Sequence, residues 1–307
     1  MFKSTDFSSI NYLQTKSENL SFRHVFSDPS LPTLLLIHGN MTSSYMWITL
    51  IEPLKSKYNL LCPDLRGFGN SSYNSPIVGM EDFCDDIMEI LNYLKIKIVM
   101  LIGLSLGGAV SLKFCAKYQK VVKGLVLIGS VGLGGYYYKR VDYQGKETEE
   151  KMPDKEFLEK DPYVAGYSMV LMTKNHEFLQ ILLEKYLFNV GRRVSDTIFK
   201  RLIEEALLQK NYVDSMWALN IFNMTENFNG IMKGTNEIEK IQCPTLVIHG
   251  TKDKVIPLKE GINIYHSLKN KKKAIEIMEN LGHVPHMDDP EKISNILMKF
   301  FEELQKN

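Results

Sequence analysis

A serine hydroxyl becomes a useful nucleophile only when it stands clear of its surroundings, a neutral imidazole takes its proton, and N–H donors face the charge that develops. One stretch of the 307-residue chain is built for the first requirement: Gly103-Leu104-Ser105-Leu106-Gly107, a G-x-S-x-G run. Residues 98–102 before it are uncharged and apolar, with β-branched ends, which predicts a strand buried on both faces. Residues 107–117 after it have few polar positions and no proline, which predicts a helix packed beside a sheet. Ser105 therefore falls on a sharp strand-to-helix turn. Such a turn strains the serine backbone, lifts its hydroxyl above the sheet edge and points the N–H of the next residue, Leu106, into the same space. The flanking glycines have a steric reason, since a Cβ there would meet the neighbouring strand or the returning helix.

The elements that must hold this turn can be read outward from it. Strands are expected at 20–26, 33–38, 58–62, 123–128, 243–250 and 274–278, and helices at 44–57 and 80–95. In the second of these helices Met80, Phe83, Cys84, Ile87, Met88, Leu91 and Leu94 recur at helical spacing behind Glu81 and Asp82. A last helix has Asp289 as its N-cap and Pro290 in its first turn. Strands alternating with helices give the α/β class, with a doubly wound, mostly parallel sheet. The glycine-rich run 129–135 follows a strand without opening a helix, so it reads as a flexible exit into an insertion rather than a cofactor loop.

From 134 to 240 the pattern is helical, with an amphipathic helix at 198–207 and a broadly apolar one at 178–188. Helices without intervening strands cannot extend a sheet. They fit a helical cap over the strands' carboxyl ends, where ligands bind in open α/β folds. The expected organisation is thus a core of 1–133 and 241–307 with a cap of 134–240 inserted in it. The cap is rich in aromatics and methionines, among them Tyr136, Tyr137, Tyr138, Tyr163, Tyr167, Met169, Met172, Trp217, Phe222 and Met224. Met41, Tyr137, Trp217 and Val255 are the candidate pocket residues, with plain core packing as the alternative reading for any one of them.

Composition excludes other classes. Lys and Arg number 37 against 36 Asp and Glu, a net charge of +1, so no electrostatic footprint for nucleic acid is present. The cluster Lys269 to Lys273 reads as a solvated loop. Cys62, Cys84, Cys115 and Cys243 lack metal or redox spacing and argue for a reducing compartment. The N-terminal ten residues lack the apolar core of a signal peptide, and no run reaches membrane-span length. A cytoplasmic protein with no cofactor and no metal is expected, and the apolar cap surface is compatible with a homodimer contact.

Four loops together resemble the α/β-hydrolase fold superfamily. The elbow at Ser105 is one. The strand leading into His38-Gly39-Asn40 is similar to the family's oxyanion-hole loop, which implies backbone N–H donors at Asn40 and Leu106, typically worth about 3 to 4 kcal/mol each in the transition state. His38 itself reads as a brace for that loop. Thr251-Lys252-Asp253 through Pro257 resembles the G-x-x-D-x-x-x-P loop of the catalytic acid, and Gly282-His283 resembles the loop of the catalytic histidine. Residues 63–72 resemble a further loop of the same family, and their glycines, Gly67 and Gly69, lack the lysine of a phosphate cradle.

The chain order Ser105, Asp253, His283 is that of the family's triad. The resemblance implies a carboxylesterase-like serine hydrolase that acts on small to medium acyl esters through an acyl-enzyme. A lactonase, a C–C bond hydrolase, an intracellular polyhydroxyalkanoate depolymerase and a slow-turnover ligand receptor stand as alternatives. His286 is a rival to His283, while Asp288 and Asp289 read as acids at the start of the last helix. His38-Gly39-Asn40 through Ser44 also resembles the haloalkane dehalogenases, in which Asn40 would bind halide, but that chemistry needs an aspartate where Ser105 stands.

Overall fold

The computed structural model describes residues 6–137, 144, 146, 148, 151–188 and 194–305; Tyr138 lies outside them. Eight strands form one sheet: β1 (Asn11–Gln14), β2 (Asn19–Val25), β3 (Thr33–Ile37), β4 (Asn59–Pro63), β5 (Val99–Leu104), β6 (Val122–Ile128), β7 (Thr245–Gly250) and β8 (Lys273–Met278). Their order is β1-β2-β4-β3-β5-β6-β7-β8, antiparallel for the first two pairings and parallel from β4 onward. Burial follows from position. The central strands β3, β4 and β5 are buried at every residue, as strands covered on both faces must be, whereas the edges β1 and β8 largely alternate. The short β1 was not foreseen, because four residues of half-buried alternation carry almost no signal.

Eleven α-helices lie among the described residues: α1 (Ile48–Leu54), α2 (Met80–Tyr93), α3 (Leu106–Lys117), α4 (Lys155–Lys160), α5 (Pro162–Met172), α6 (His176–Leu187), α7 (Asp196–Ala206), α8 (Tyr212–Ile221), α9 (Leu258–Ser267), α10 (Pro285–Asp288) and α11 (Pro290–Gln305). The helix expected at 44–57 divides into a 3-10 turn at Ser44–Trp47 and α1. The sheet is covered on both faces. Gly103 of β5 faces α3, since a Cβ on it would lie 2.3 Å from Ser111 Oγ; Gly124 of β6 faces α11, at 2.3 Å from Leu304 Cδ1. Gly103 pairs with Leu127, three residues from Gly124 and therefore on the opposite face of the pleat.

Between β6 and β7 the described residues contribute α4 to α8 and no strand. Asp154, Asp161, Asn175 and Ser195 cap α4 to α7 through side-chain oxygens, so each start is specified locally. The run 129–135 is not the flexible exit its glycines suggested. Gly129 donates its N–H to Ile248 O at 2.9 Å, Ser130 and Val131 are buried, and Gly135 donates to Gly132 O at 3.0 Å.

Candidate active site

Parallel strands end on one edge of the sheet, so the loops after β3, β5, β6, β7 and β8 converge there. Ser105 follows β5 directly. It has φ 55° and ψ −118°, a left-handed conformation that a residue with a Cβ rarely adopts, and its N–H donates to Ile128 O at 3.1 Å. Both flanking glycines stand where a side chain would collide. A Cβ on Gly107 would lie 2.2 Å from Ile37 O, and one on Gly103 would lie 2.4 Å from Gly107 O. Leu106 is the first residue of α3, where a helix leaves N–H groups without an intrahelical carbonyl.

Asp253 and His283 meet across two loops. His283 Nδ1 is 2.8 Å from Asp253 Oδ2, and both side chains are almost wholly buried. The other carboxylate oxygen accepts the N–H groups of Val255 and Ile256, each at 2.8 Å. Burial works to raise the Asp253 carboxyl, but the His283 charge and hydrogen bonds from His249, His283 and the Ile256 N–H outweigh it and hold it well below the usual carboxylate range. An ionised carboxylate only accepts, so Nδ1 of His283 carries a proton, and the lone pair of a neutral ring in this orientation lies on Nε2.

Two residues beside this pair escaped the sequence reading. His249, next to last in β7, places Nε2 2.9 Å from Ile256 O and 3.4 Å from Asp253 Oδ2; a carbonyl can only accept, so this nitrogen is protonated and faces the carboxylate. Gly129 has φ +49°, and a Cβ there would stand 3.0 Å from His283 O, 3.1 Å from His283 Nδ1 and 3.2 Å from Asp253 Oδ2. Only the adjacent Gly250 and the nearby Asp253 motif hinted at the first; the second was visible merely as one glycine among several.

The His283 loop is anchored from both sides. Its N–H donates to Leu187 O at 3.1 Å, and the Gly282 N–H donates to Asp288 Oδ2 at 2.9 Å. Asp288, expected to serve the last helix, thus braces the histidine loop, while Asp289 caps α11 by accepting the Lys292 N–H at 3.1 Å. His286 does not reach Asp253. It is fully buried with its ring 4.9 Å from Trp47, and burial pushes it down to about 3.

On the opposite wall, His38 accepts the Leu65 N–H at Nε2 (3.0 Å) and donates Nδ1–H to Gly39 O (2.8 Å), the bracing contacts expected of it. Burial holds its ring below the usual imidazole range. Gly39 is closely approached, for a Cβ there would lie 3.1 Å from Ser105 Cβ, tighter than ordinary contact. The Asn40 side chain is engaged by the insertion: Oδ1 accepts from Gln209 Nε2 at 2.8 Å and Nδ2 lies 3.3 Å from Met216 Sδ. Gln209 Oε1 in turn accepts the Met41 N–H at 3.0 Å.

These loops and the helical insertion enclose a cavity of about 630 Å³, lined by Ser105, His283, Asn40, Met41, Tyr137 and Val255 among others. Trp217 is not among its lining residues. Tyr212, Met216 and Leu219 of the same helix are, because they share the helix face turned to the cavity and Trp217 sits one residue off it. Tyr136, Tyr163, Tyr167 and Tyr186 complete a tyrosine-rich wall, whereas Phe222 and Met224 are core residues and Met169 and Met172 are exposed. Burial, then the charges of Tyr167, Tyr186 and Asp253, push the Tyr136 phenol up to about 12. Among the described residues Lys254 is the one Lys, Arg, Asp or Glu of the lining, and its ammonium donates to Lys185 O (3.2 Å) and Phe188 O (3.4 Å). No group of three or more His, Cys, Asp or Glu among the described residues is placed to hold a metal ion.

Comparison with known proteins agrees with this architecture. A family sequence model described as alpha/beta hydrolase fold matches residues 32–290. The Bacillus subtilis (strain 168) protein named "Uncharacterized hydrolase YugF" is 26% identical over 288 residues, covering 92% of this chain and 94% of that protein. "Monoacylglycerol lipase ABHD6" of Mus musculus is 25% identical over 274 residues, covering 88% and 75%. Among solved structures, an esterase (EaEST) from Exiguobacterium antarcticum superposes with a TM-score of 0.72 at 18% identity, covering 95% and 98%, a likeness of fold alone.

Proposed function

The chain belongs to the α/β-hydrolase fold family, and from that premise we propose that it is a serine esterase cleaving uncharged carboxylic esters of small to medium acyl chain. The observation that carries the reading is the 2.8 Å Asp253–His283 pair beside a cavity lined by both His283 and Ser105. In this mechanism His283 Nε2 takes the Ser105 proton as Oγ attacks the ester carbonyl. The oxyanion is met by the Asn40 and Leu106 N–H groups, the alkoxide leaves with the proton from His283, and water then hydrolyses the acyl-enzyme by the same steps. Asp253 holds the ring in the tautomer whose Nε2 is free and balances the imidazolium.

The cavity supports the substrate class. About 630 Å³ suits a small organic ligand, the described wall is largely apolar or phenolic, and the ammonium of Lys254 is turned to backbone carbonyls, which favours an uncharged substrate. In this reading residues 134–240 are the cap and select the substrate, and 1–133 with 241–307 are the core. The ABHD6 relative makes a monoacylglycerol the first natural ester to try. No helix among the described residues is long and apolar enough to cross a membrane. A cytoplasmic setting is the reading we attach to four free cysteines, of which three are buried.

A series of p-nitrophenyl esters of rising chain length tests the proposal. Turnover of at least one member is expected, reduced about 10³-fold or more in Ser105→Ala. Saturable binding without turnover would assign a receptor instead. Turnover of lactones or of vinylogous diketones in place of open esters would move the activity to the lactonase or C–C hydrolase alternatives.

A further inference from the structure

We propose that Gln209, contributed by the loop between α7 and α8, is a positioning residue for the oxyanion hole: its amide grips Asn40 and the following peptide and thereby aims the Asn40 N–H. This rests on the reading of Asn40 as an oxyanion donor.

The loop that offers that N–H is held partly from within, Thr42 Oγ1 donating to Gly39 O (2.8 Å) and the Met41 N–H also reaching Asn40 Oδ1 (3.1 Å), and partly from outside. Met41 has φ 53°, a conformation costly for a residue with a Cβ, so neighbouring groups must impose it. Gln209 supplies two of the contacts. Oε1 accepts the Met41 N–H at 3.0 Å, and Nε2 donates to Asn40 Oδ1 at 2.8 Å. The orientation of the amide is forced, because a flipped amide would set an NH2 group against the Met41 N–H. The Met41 N–H and the Asn40 carbonyl share one rigid peptide plane, so Gln209 fixes the backbone on one side of Asn40 and its side chain on the other. The Met41 N–H is thereby consumed inside the protein. The N–H left to face a substrate oxygen is that of Asn40.

Gln209 is itself held in place. It is 5% exposed, its N–H donates to Ala206 O at 3.1 Å, and Nε2 also donates to Asn211 Oδ1 at 3.1 Å. The next two residues clip the same loop to the core: Lys210 donates its N–H to Gly67 O (2.7 Å) and its ammonium to Ser71 O (2.8 Å), and Asn211 Nδ2 donates to Arg66 O (2.7 Å). Losing one partner of a buried hydrogen bond costs more than replacing both, so a glutamine here is tied to the groups that it meets. Hydrogen bonds to two points of one short loop account for it. The insertion would then complete the catalytic machinery as well as shape the pocket.

The test uses the full-length protein and the p-nitrophenyl ester that the wild type cleaves fastest. Gln209→Met keeps the volume and removes both hydrogen bonds. Its kcat is expected to fall about 10- to 100-fold with KM within about threefold, and the inhibition constant of an aryl trifluoromethyl ketone, whose serine adduct places an oxyanion in the hole, is expected to rise in parallel. Gln209→Glu keeps the acceptor for Met41 and should fall between wild type and Gln209→Met; if the methionine variant does not fold, the glutamate variant carries the test alone. Lys210→Ala removes only the ammonium contact with Ser71 O and keeps the N–H to Gly67 O, so the loop and Gln209 stay in place and wild-type kcat is expected.

Unchanged kcat in the Gln209 variants, a rise in KM alone, or an equal loss in Lys210→Ala overturns the inference. Wild-type protein that cleaves no ester overturns the functional reading and this inference together. An active wild type with indifferent Gln209 variants overturns this inference only.

Discussion

At the scale of single residues, the site is governed by what may approach what. Gly129 lies against the Asp253–His283 pair, with φ +49° and a Cβ site only 3.0 to 3.2 Å from their atoms. Gly129→Ala would press a methyl group against His283 Nδ1 and Asp253 Oδ2 and strain its own backbone. The expected outcome is a fall in kcat of about tenfold or more, since sub-ångström misplacement of a base is costly, with a loss of about 1 kcal/mol in urea unfolding. Wild-type kcat in a folded Gly129→Ala protein would separate the glycine from the chemistry.

What the sequence revealed at this scale was uneven for a physical reason. Ser105, Asp253 and His283 stand in loops marked by nearby glycine or proline, so each carries a local signature. Gln209 and His249 act through partners distant in the chain, Gln209 reaching Asn40 across 169 positions, and local spacing does not record such a meeting. Trp217 was misassigned because residue type suggested a pocket wall while the helix face decided it.

At the scale of elements, the insertion is fastened to the sheet by charge as well as by packing. Arg23 of β2 is wholly buried and pairs with Glu205 of α7 at 2.6 Å; its other guanidinium nitrogen donates to Ser44 Oγ, and Ser43 Oγ donates to the second Glu205 oxygen. Arg201 approaches the same carboxylate at 3.2 Å and lies over the Tyr45 ring at 4.5 Å. Removing one partner leaves the other charge buried and uncompensated, whereas removing both need not. Glu205→Ala is therefore expected to lose about 3 to 5 kcal/mol by urea unfolding, and Arg23→Met with Glu205→Leu to recover much of that loss. Equal stability of the single variant and the wild type would show α7 to be held by its apolar face alone. The periodicity of Phe199, Leu202, Ile203 and Ala206 announced that face; Glu205, in the same turn, carries no local signal of its buried partner.

At the scale of the whole molecule, building a site at the sheet edge buries two imidazoles that the proposed mechanism does not use. His38 and His286 are both fully buried and both pushed below the ordinary imidazole range, His286 to about 3, with burial as the largest cause in each. In the unfolded chain each ring takes up a proton near pH 6.5. Above that pH neither state is protonated and stability is flat with respect to them. Between about 6.5 and 3 the unfolded state binds protons that the native state refuses, so stability falls as pH falls, by up to about 1.4 kcal/mol per pH unit for His286. Asp253 has its carboxyl depressed, so its contribution is present above the unfolded value of about 3.9 and is lost only as pH falls through its still lower folded value. The two windows are thus separable. Urea midpoints at pH 7 and 5.5 should show a marked loss in the wild type and a smaller one in His286→Phe, whose ring can keep the contact with Trp47. Identical slopes would mean that the ring reaches solvent before the chain unfolds. The same acid loss weighs on any pH–rate profile, so a fall in activity at low pH must be divided between the chemistry of the site and unfolding, and the His286→Phe protein is the one in which that division can be measured.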